Sequence, residues 1–421
     1  MREYLLQIWK SRDLRNKVLF TLALLVFIRI ISHIPIPGID KAQLAAFMSQ
    51  SQNQIFNLLS VFTGGSLTKL SIAMLGVGPY ITSSIIIQLL TKAIPAWENL
   101  QKESNSGREK LNQYGRYLTV PLAIIQGYST LVLLRSQNVL PNLSAGAIWE
   151  ILAVITATSI FIMWLGELIT EKGLANGISL IIALGIVSGL PTQISNIANS
   201  ATGSYFTVIV FAAIAVLTIA VIVLVNDAER KIPITYARQA AGAGSSVNSY
   251  LPLKVNAAGV IPIIFALSFL TFPVIIARFL STAHSTLLVN IAEKVTLWSN
   301  NNLYYGIAYF ILVLIFTFFY TYIVFQPEQV AENLQKQGSF IPGVRPGSET
   351  VAFLKYTTTR ITVIGAVFLA IIAVLPKAVS SGLNITSLTI GGTSVLIVVS
   401  VVIETSRMLN SQIVMRRYDT L

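Results

Sequence analysis

Residues 55–90 read IFNLLSVFTGGSLTKLSIAMLGVGPYITSSIIIQLL, and this stretch decides the fold. Ile55 to Phe62 is apolar but only about two helical turns long, short of the roughly 20 residues that cross a bilayer. Thr63-Gly64-Gly65-Ser66 breaks the run, and Ser71 to Leu90 then supplies a segment long enough to span. A half-entering segment beside a full span is tolerated only where it is buried in protein or lines a watery cavity. Ile55–Phe62 is therefore either an amphipathic loop resting on the outer surface or a movable plug. In the span, Val77, Ile81 and Ile85 fall at i, i+4, i+8 on one helix face. Such a stripe alone reads as lipid contact or packing. Its neighbours Thr82, Ser83, Ser84 and Gln88 are polar, so part of this helix is turned away from lipid.

Composition extends that reading to the whole chain. Of 421 residues, 54% are hydrophobic and 11% charged, against a usual charged share of about 25%, which is a polytopic membrane protein. Cysteine is absent, which excludes disulfides and thiolate chemistry, and two histidines, His33 and His284, leave little for zinc. The amphipathic, basic N-terminus MREYLLQIWKSRDLRNK leads into an apolar run without a small-residue cleavage site. That run reads as a retained first span and not as a removable signal peptide.

Ten spans are expected: Val18–Ile36, Ser71–Leu90, Leu118–Leu134, Ile148–Ile169, Gly177–Ile194, Tyr205–Val225, Val255–Leu280, Tyr304–Phe325, Ile361–Pro376 and Leu388–Thr405. An even number puts both termini on one side. That side carries 22 of the 29 lysines and arginines, the other side six, and Arg29 lies within the first span. The positive-inside rule then makes both ends cytoplasmic. Three cytoplasmic connections are large, 91–117, 226–254 and 326–360. Ala240 to Ser246 has the composition of a mobile tip. Pro342-Gly343 and Pro346-Gly347 make a corner that presents Arg345. Five spans fall in 1–200 and five in 201–421, so by parity the second half sits inverted relative to the first.

Transporters and proton pumps place ionisable groups near the bilayer midplane, and this chain almost never does. Glu167 and Glu404 lie near cytoplasmic span ends and read as solvated. Arg29 is the main exception, and snorkelling, a partner chain or a cavity lining would each accommodate it; a structural role is favoured. Gly177-Ile178-Ser179 has a faint serine-protease look, but His33 and His284 fall near the opposite face from Ser179. No Walker-type P-loop is present, so any energy comes from outside. What remains is a set of breakers in apolar spans: Gly76, Gly78 and Pro79, Gly259 and Pro262, Gly391 and Gly392.

LGVGPYITSSIIIQLL (75–90), MWLGELITEKGLANGISLIIALGIVSGLP (163–191), VNAAGVIPIIFALSFLTFP (255–273), PEQVAENLQKQGSFIPGVRPG (327–347), TRITVIGAVFLAIIAVLP (359–376) and GGTSVLIVV (391–399) together resemble the SecY family, the channel subunit of the general (Sec) protein-export translocon. SYLPLKVN (249–256) and SQIVMRRYD (411–419) look most like its cyanobacterial and plastid branch, which would favour a thylakoid membrane over a bacterial plasma membrane. The resemblance implies an all-α clamshell of two inverted five-helix halves, 1–200 and 201–421, around an hourglass pore closed by an apolar ring. Carried over by motif, the ring is Val77, Ile81, Ile178, Ile182, Ile264 and Ile397. The family often has isoleucine at the position of Val77, which would loosen the ring slightly. The plug maps to about Ile55–Leu70, with Phe62 at its centre and Gly64 and Gly65 beside it. The lateral gate would lie between the second and seventh spans near Thr82, Ile85, Gln88, Asn256, Ser268 and Phe272. Arg230, Lys231 and Arg345 fall on loops that in the family dock the ribosome or the SecA motor. Further implied partners are a SecE-like single-span subunit, a SecG-like subunit, signal peptides and membrane lipid, with no catalytic residue, metal or cofactor.

The chemistry is consistent with that role. A pore for unfolded chains of any sequence must not hydrogen-bond its cargo, and aliphatic side chains offer no donors or acceptors. A closed apolar ring also excludes ions, because stripping their water is costly. An apolar stretch of roughly 7–15 residues in a signal peptide gains about 25 cal/mol per Å² on moving through an open seam into lipid. Polar Thr82, Gln88 and Asn256 weaken the closed seam and favour its reversibility. The rival readings are a secondary transporter, which would show saturable solute uptake, and an insertase or scaffold without a pore.

Overall fold

In lipid, each backbone N–H and C=O has to be satisfied inside its own segment, and every one of the ten apolar runs carries a helix. The computed structural model describes residues 11–36, 70–103, 105–136, 144–200, 205–236, 249–280, 286–383 and 392–419. The helices at the ten runs are α1 (Arg12–Ile31), α2 (Gly78–Ala93), α4 (Asn105–Ser136), α5 (Ala145–Lys172), α6 (Gly177–Ser200), α7 (Tyr205–Asp227), α8 (Ile261–Leu280), α10 (Asn302–Val324), α12 (Ser348–Leu383) and α13 (Gly392–Asp419). Between them lie α3 (Pro95–Glu103), α9 (Thr286–Asn300) and α11 (Pro327–Lys336). Among the described residues, Ala145–Lys172, Leu303–Lys336, Ser348–Leu375 and Ser394–Met415 are long and apolar enough to cross a membrane. Gly177–Pro191, Ala213–Asp227 and Ile261–Val274 are shorter apolar helices.

Of the helices whose bounds differ from the expected spans, two do so for clear reasons. The second span was expected to start at Ser71, but α2 begins at Gly78. Residues 70–77 form turns instead, with Leu70 at φ 42° and Gly76 at φ 51°, both in the left-handed region that ends helices. At the other extreme α12, of 36 residues, is about 54 Å long at 1.5 Å per residue. That exceeds the roughly 30 Å hydrocarbon core, so part of the helix stands outside it.

The connections 226–254 and 326–360 also hold a small sheet, which the sequence pattern does not announce. Strands β1 (Glu229–Tyr236), β2 (Ser249–Lys254) and β3 (Ser339–Phe340) lie in the order β2-β1-β3, all antiparallel. β1 pairs with β2 through Ile234 and with β3 only at Thr235 and Tyr236, so Pro233 faces a neighbour on one side alone. An unpaired side of this kind is one of the settings in which a strand tolerates proline. Ile232, Leu253, Ala331, Ile341, Leu354 and Ile361 close a separate apolar core beneath the sheet.

The main core is one apolar cluster fed by α1, α2, α5, α6, α7, α8, α10, α12 and α13, so it crosses the expected boundary between the halves. α10 packs on α12 and α8, α7 on α13, and α13 on α6. At its outer end α1 meets the turn before α2 through a Pro35–Ser71 bridge, with Ile36 N donating to Leu70 O at 3.0 Å and Ile72 N to Ile34 O at 3.0 Å. The chain therefore leaves and re-enters at one point on either side of 37–69, which lies outside the described residues along with the expected plug residues Phe62, Gly64 and Gly65 and the loop tip 240–246.

Candidate functional site

The six residues expected to form a ring come from four helices and meet in the main core. Val77 stands at the N-cap of α2 and Ile81 in its first turn, Ile178 and Ile182 open α6, Ile264 opens α8, and Ile397 lies in α13. Val77, Ile81, Ile182, Ile264 and Ile397 are buried and Ile178 packs against them in the same cluster. All six lie near the start of their helices, so the meeting point is set by what starts each helix.

For α2 the start is fixed by the turn at Gly76 and by Ser159 of α5, whose buried hydroxyl donates to Gly76 O at 2.8 Å. Pro79 follows at the helix start, where its fixed φ suits helix entry and no N–H is lost. For α6 the start is fixed by Asn176, whose Oδ1 accepts from Ser179 N at 3.1 Å, and by Thr170, whose Oγ1 accepts from Gly177 N at 2.9 Å. Ser179 is thus part of an N-cap and shows no triad geometry. A Cβ on Gly177 would lie 2.0 Å from Gly166 O, and one on Gly166 would lie 2.5 Å from Ile178 Cδ1. Glycine at both positions lets α5 and α6 touch backbone to backbone, which sets the height of Ile178. Gly177→Ala is expected to force the two helices apart at a cost of about 1–3 kcal/mol. A lower melting temperature of the detergent-solubilised protein, with normal membrane insertion, checks this.

The expected gate residues divide into two groups. Thr82, Ile85 and Gln88 lie on α2, and Ser268 and Phe272 on α8, and these helices pack against each other. α8 also packs on α4, so the third span shares the seam. Gln126 of α4, which the sequence reading missed, donates from Nε2 to Thr82 Oγ1 at 3.3 Å, and Thr82 donates to Gly78 O at 3.1 Å. Gln88 Nε2 donates to Ser84 Oγ at 3.2 Å, while Gln88 Oε1 is buried without a partner. Asn256 stands apart from both, on the turn before α8, where its Nδ2 donates to Asn226 Oδ1 at 2.7 Å.

The basic residues expected to dock a partner sit on defined elements. Arg230 and Lys231 lie on β1 and are exposed. Lys231 Nζ stands 4.8 Å from the centre of the Tyr250 ring and 3.7 Å from Glu229 Oε1. Arg345 is exposed on a corner between Gly343 at φ 81° and Gly347 at φ 104°. Its carbonyl accepts from Thr350 Oγ1 at 2.8 Å, and Val344 packs into the core beneath the sheet. Burial at the membrane face, and then the Arg407 guanidinium, pull the Lys254 ammonium below the usual lysine range. Glu167 is not a free solvated end: its Oε1 accepts from Arg116 Nε at 2.9 Å, tying α5 to α4. His33 Nδ1 is hydrogen-bonded to Arg29 O at 2.8 Å. Among the described residues no group of His, Asp and Glu is placed to hold a metal ion.

The family model described as SecY matches residues 71–406. The protein translocase subunit SecY of Corynebacterium glutamicum is 40% identical over 440 residues, covering 99% of this chain and 99% of that protein. The protein translocase subunit SecY of Streptomyces galbus is 39% identical over 428 residues, covering 98% and 97%. Among solved structures, a protein-conducting channel superposes with a TM-score of 0.63 at 19% identity, over 94% of this chain and 91% of that one. Sec61 in a canine ribosome-channel complex superposes with a TM-score of 0.60 at 18% identity, over 94% and 91%.

Proposed function

The chain belongs to the SecY family, and from that premise we propose how its own residues do the work of a protein translocase subunit. It is a protein-conducting channel subunit and not an enzyme: it passes unfolded, signal-bearing polypeptides across a membrane and releases apolar segments sideways into lipid. Val77, Ile81, Ile178, Ile182, Ile264 and Ile397 are the constriction. The observation that carries this is their convergence, from the starts of α2, α6 and α8 and from α13, into one buried aliphatic cluster. Such a gasket closes around an extended chain of any sequence and, when empty, gives an ion nothing to replace its water. Residues 55–70 are the plug, with Phe62, Gly64 and Gly65 within it; the Pro35–Ser71 bridge, which holds the two flanks of 37–69 together, supports this.

The seam of α2 and α4 against α8 is the lateral gate, with Thr82, Ile85, Gln88, Ser268 and Phe272 along it and Asn256 at its root. The halves 1–200 and 201–421 are its two jaws. Arg230, Lys231 and Arg345 dock a cytoplasmic partner, a SecA-type motor or a ribosome; the solved Sec61 and Ssh1 relatives bound to ribosomes support the second. A SecE-like subunit and a SecG-like subunit cover outward apolar faces such as Leu19, Leu22, Val26 and Ile30 of α1. The host is a bacterial plasma membrane or a thylakoid. The actinobacterial relatives support the first, and only the stretches 249–256 and 411–419 support the second.

Reconstitution tests the function. Proteoliposomes holding the chain with co-purified small subunits and a motor ATPase are expected to render an unfolded, signal-bearing polypeptide protease-resistant, and not its signal-less form. Saturable uptake of a small solute, with no polypeptide protected, would transfer the reading to a secondary transporter.

A further inference from the structure

We infer that Asn226, at the cytoplasmic end of α7, is a positioning residue that clamps the root of the gate helix α8 to α7 and α13, so that α8 opens by pivoting at Gly259. The inference rests on the reading of α8 against α2 as the gate.

Asn226 is buried and uses three of its polar groups on three different parts of the chain. Its Oδ1 accepts from Asn256 Nδ2 at 2.7 Å, its Nδ2 donates to Ser400 Oγ of α13 at 2.9 Å, and its carbonyl accepts from Arg407 Nη2 at 2.9 Å. Arg407 also pairs with the carboxylate of Asp227. The segment before α8 is held twice more. Val255 N donates to Ala228 O at 3.0 Å, which continues the β1–β2 ladder into the membrane face. Val255 O lies against the α12 backbone so closely that a Cβ on Gly365 would come within 2.4 Å of it. Residues 255 and 256 are thus fixed to α7, α12 and α13 together.

Three residues on, the restraint ends. Gly259 takes φ +64°, and a Cβ placed on it would meet nothing within 4 Å. A left-handed glycine in open space, between a clamped root and a helix, is where φ and ψ can change at least cost. The clamp itself is half satisfied, since Asn256 Oδ1 is buried without a partner. Removing Asn226 would leave the Asn256 amide unpaired as well, and a buried amide with no partner seeks one by moving. The root would then slide, and α8 could leave α2 without a signal peptide to part them.

The chain has no native cysteine, so spin labels at Leu90→Cys on α2 and Phe269→Cys on α8, both exposed positions, report the seam directly. They would be read in the full complex in membranes, with and without an added signal peptide. The unsubstituted clamp is expected to give one narrow distance that lengthens when the peptide binds. Asn226→Leu is expected to broaden the distance toward the open value without peptide. It should also raise export of a defective-signal polypeptide, relative to an intact one, by about five- to tenfold, the population change that follows loss of one net buried hydrogen bond. Ser400→Ala, a milder deletion, should move both readouts the same way by less, and it carries the test should Asn226→Leu fail to insert. A fault of folding alone would lower the inserted amount and leave the export ratio unchanged. A narrow distance and an unchanged ratio in the inserted variants would overturn the clamp while leaving the gate intact. A distance that ignores the signal peptide even with the clamp present would overturn the gate reading and the clamp with it.

Discussion

Vesicles carrying Ile397→Asn or Ile81→Asn are expected to leak ions at least tenfold faster than those with the unsubstituted chain and to export polypeptides with defective signal peptides. Ile397 is 2% exposed and Ile81 6%, so both side chains are fully committed to the cluster. Burying an isoleucine contributes about 1.5–3 kcal/mol, and a buried amide without a partner costs about 1–3 kcal/mol more. The closed state therefore loses about 2.5–6 kcal/mol relative to an open one in which the amide is wet. At about 1.4 kcal/mol per decade, even the lower figure exceeds a tenfold shift toward open channels. Ile397→Leu, which keeps volume and polarity, should change neither readout, since volume-conserving swaps cost little. The measurement is ion flux into vesicles together with export of matched polypeptides with intact and defective signals. An inserted Ile397→Asn variant with ordinary flux and ordinary stringency would remove the ring from the constriction.

Local pattern encodes part of this structure, and contact between distant segments decides the rest. The ten helices were legible because an apolar run in a membrane has one outcome. The buried cluster that these six residues share was legible in part, since Val77 and Ile81 share a face by spacing alone. That Ile178, Ile182, Ile264 and Ile397 meet them came from resemblance to a family. The start of α2 was not legible. Gly76-Val77-Gly78-Pro79 supports either a kinked helix or a turn, and the choice lies with Ser159, more than eighty residues away along the chain, which holds Gly76 O.

The partners of polar residues were hidden in the same way. Glu167 reads as a solvated end, but Arg116 of α4 lies 2.9 Å away. Asn256 reads as a gate residue, but its side chain is bonded to Asn226 of α7, on the turn before α8. The sheet was missed because Pro233 and Pro252 argue against strands, and only the register shows Pro233 free of a neighbour on its β3 side. In each case the deciding term is one hydrogen bond or one close approach between distant segments, which composition and periodicity do not contain.

Export through the Arg345→Glu variant is expected to fall by about tenfold or more, the range over which loss of a steering charge changes association. On the proposed docking role, the corner is the feature that separates a contact from a topological signal. Orienting a loop in the membrane requires a positive charge anywhere near the span end, and Lys336, Lys355 and Arg360 remain to supply it. It does not require a fixed backbone. Yet Arg345 sits between two left-handed glycines, its carbonyl held by Thr350 and its neighbour Val344 packed into the core beneath the sheet. The anchoring of the backbone and the exposure of the guanidinium together present a pre-ordered cation to a partner, which lowers the entropy lost on docking. An acidic or phosphate-bearing surface would accept it, and reversal turns that attraction into repulsion. Binding of the variant to a SecA-type motor or to ribosomes should therefore weaken and lose part of its salt dependence, because the screened contact is the one removed. Insertion and orientation should stay normal. Substituting Gly343 and Gly347 by alanine, with Arg345 intact, should weaken docking in the same direction by straining the corner at positive φ. Export kinetics and partner affinity unchanged in the Arg345→Glu chain would return this arginine to a topological role and leave the corner as a structural feature of the loop alone.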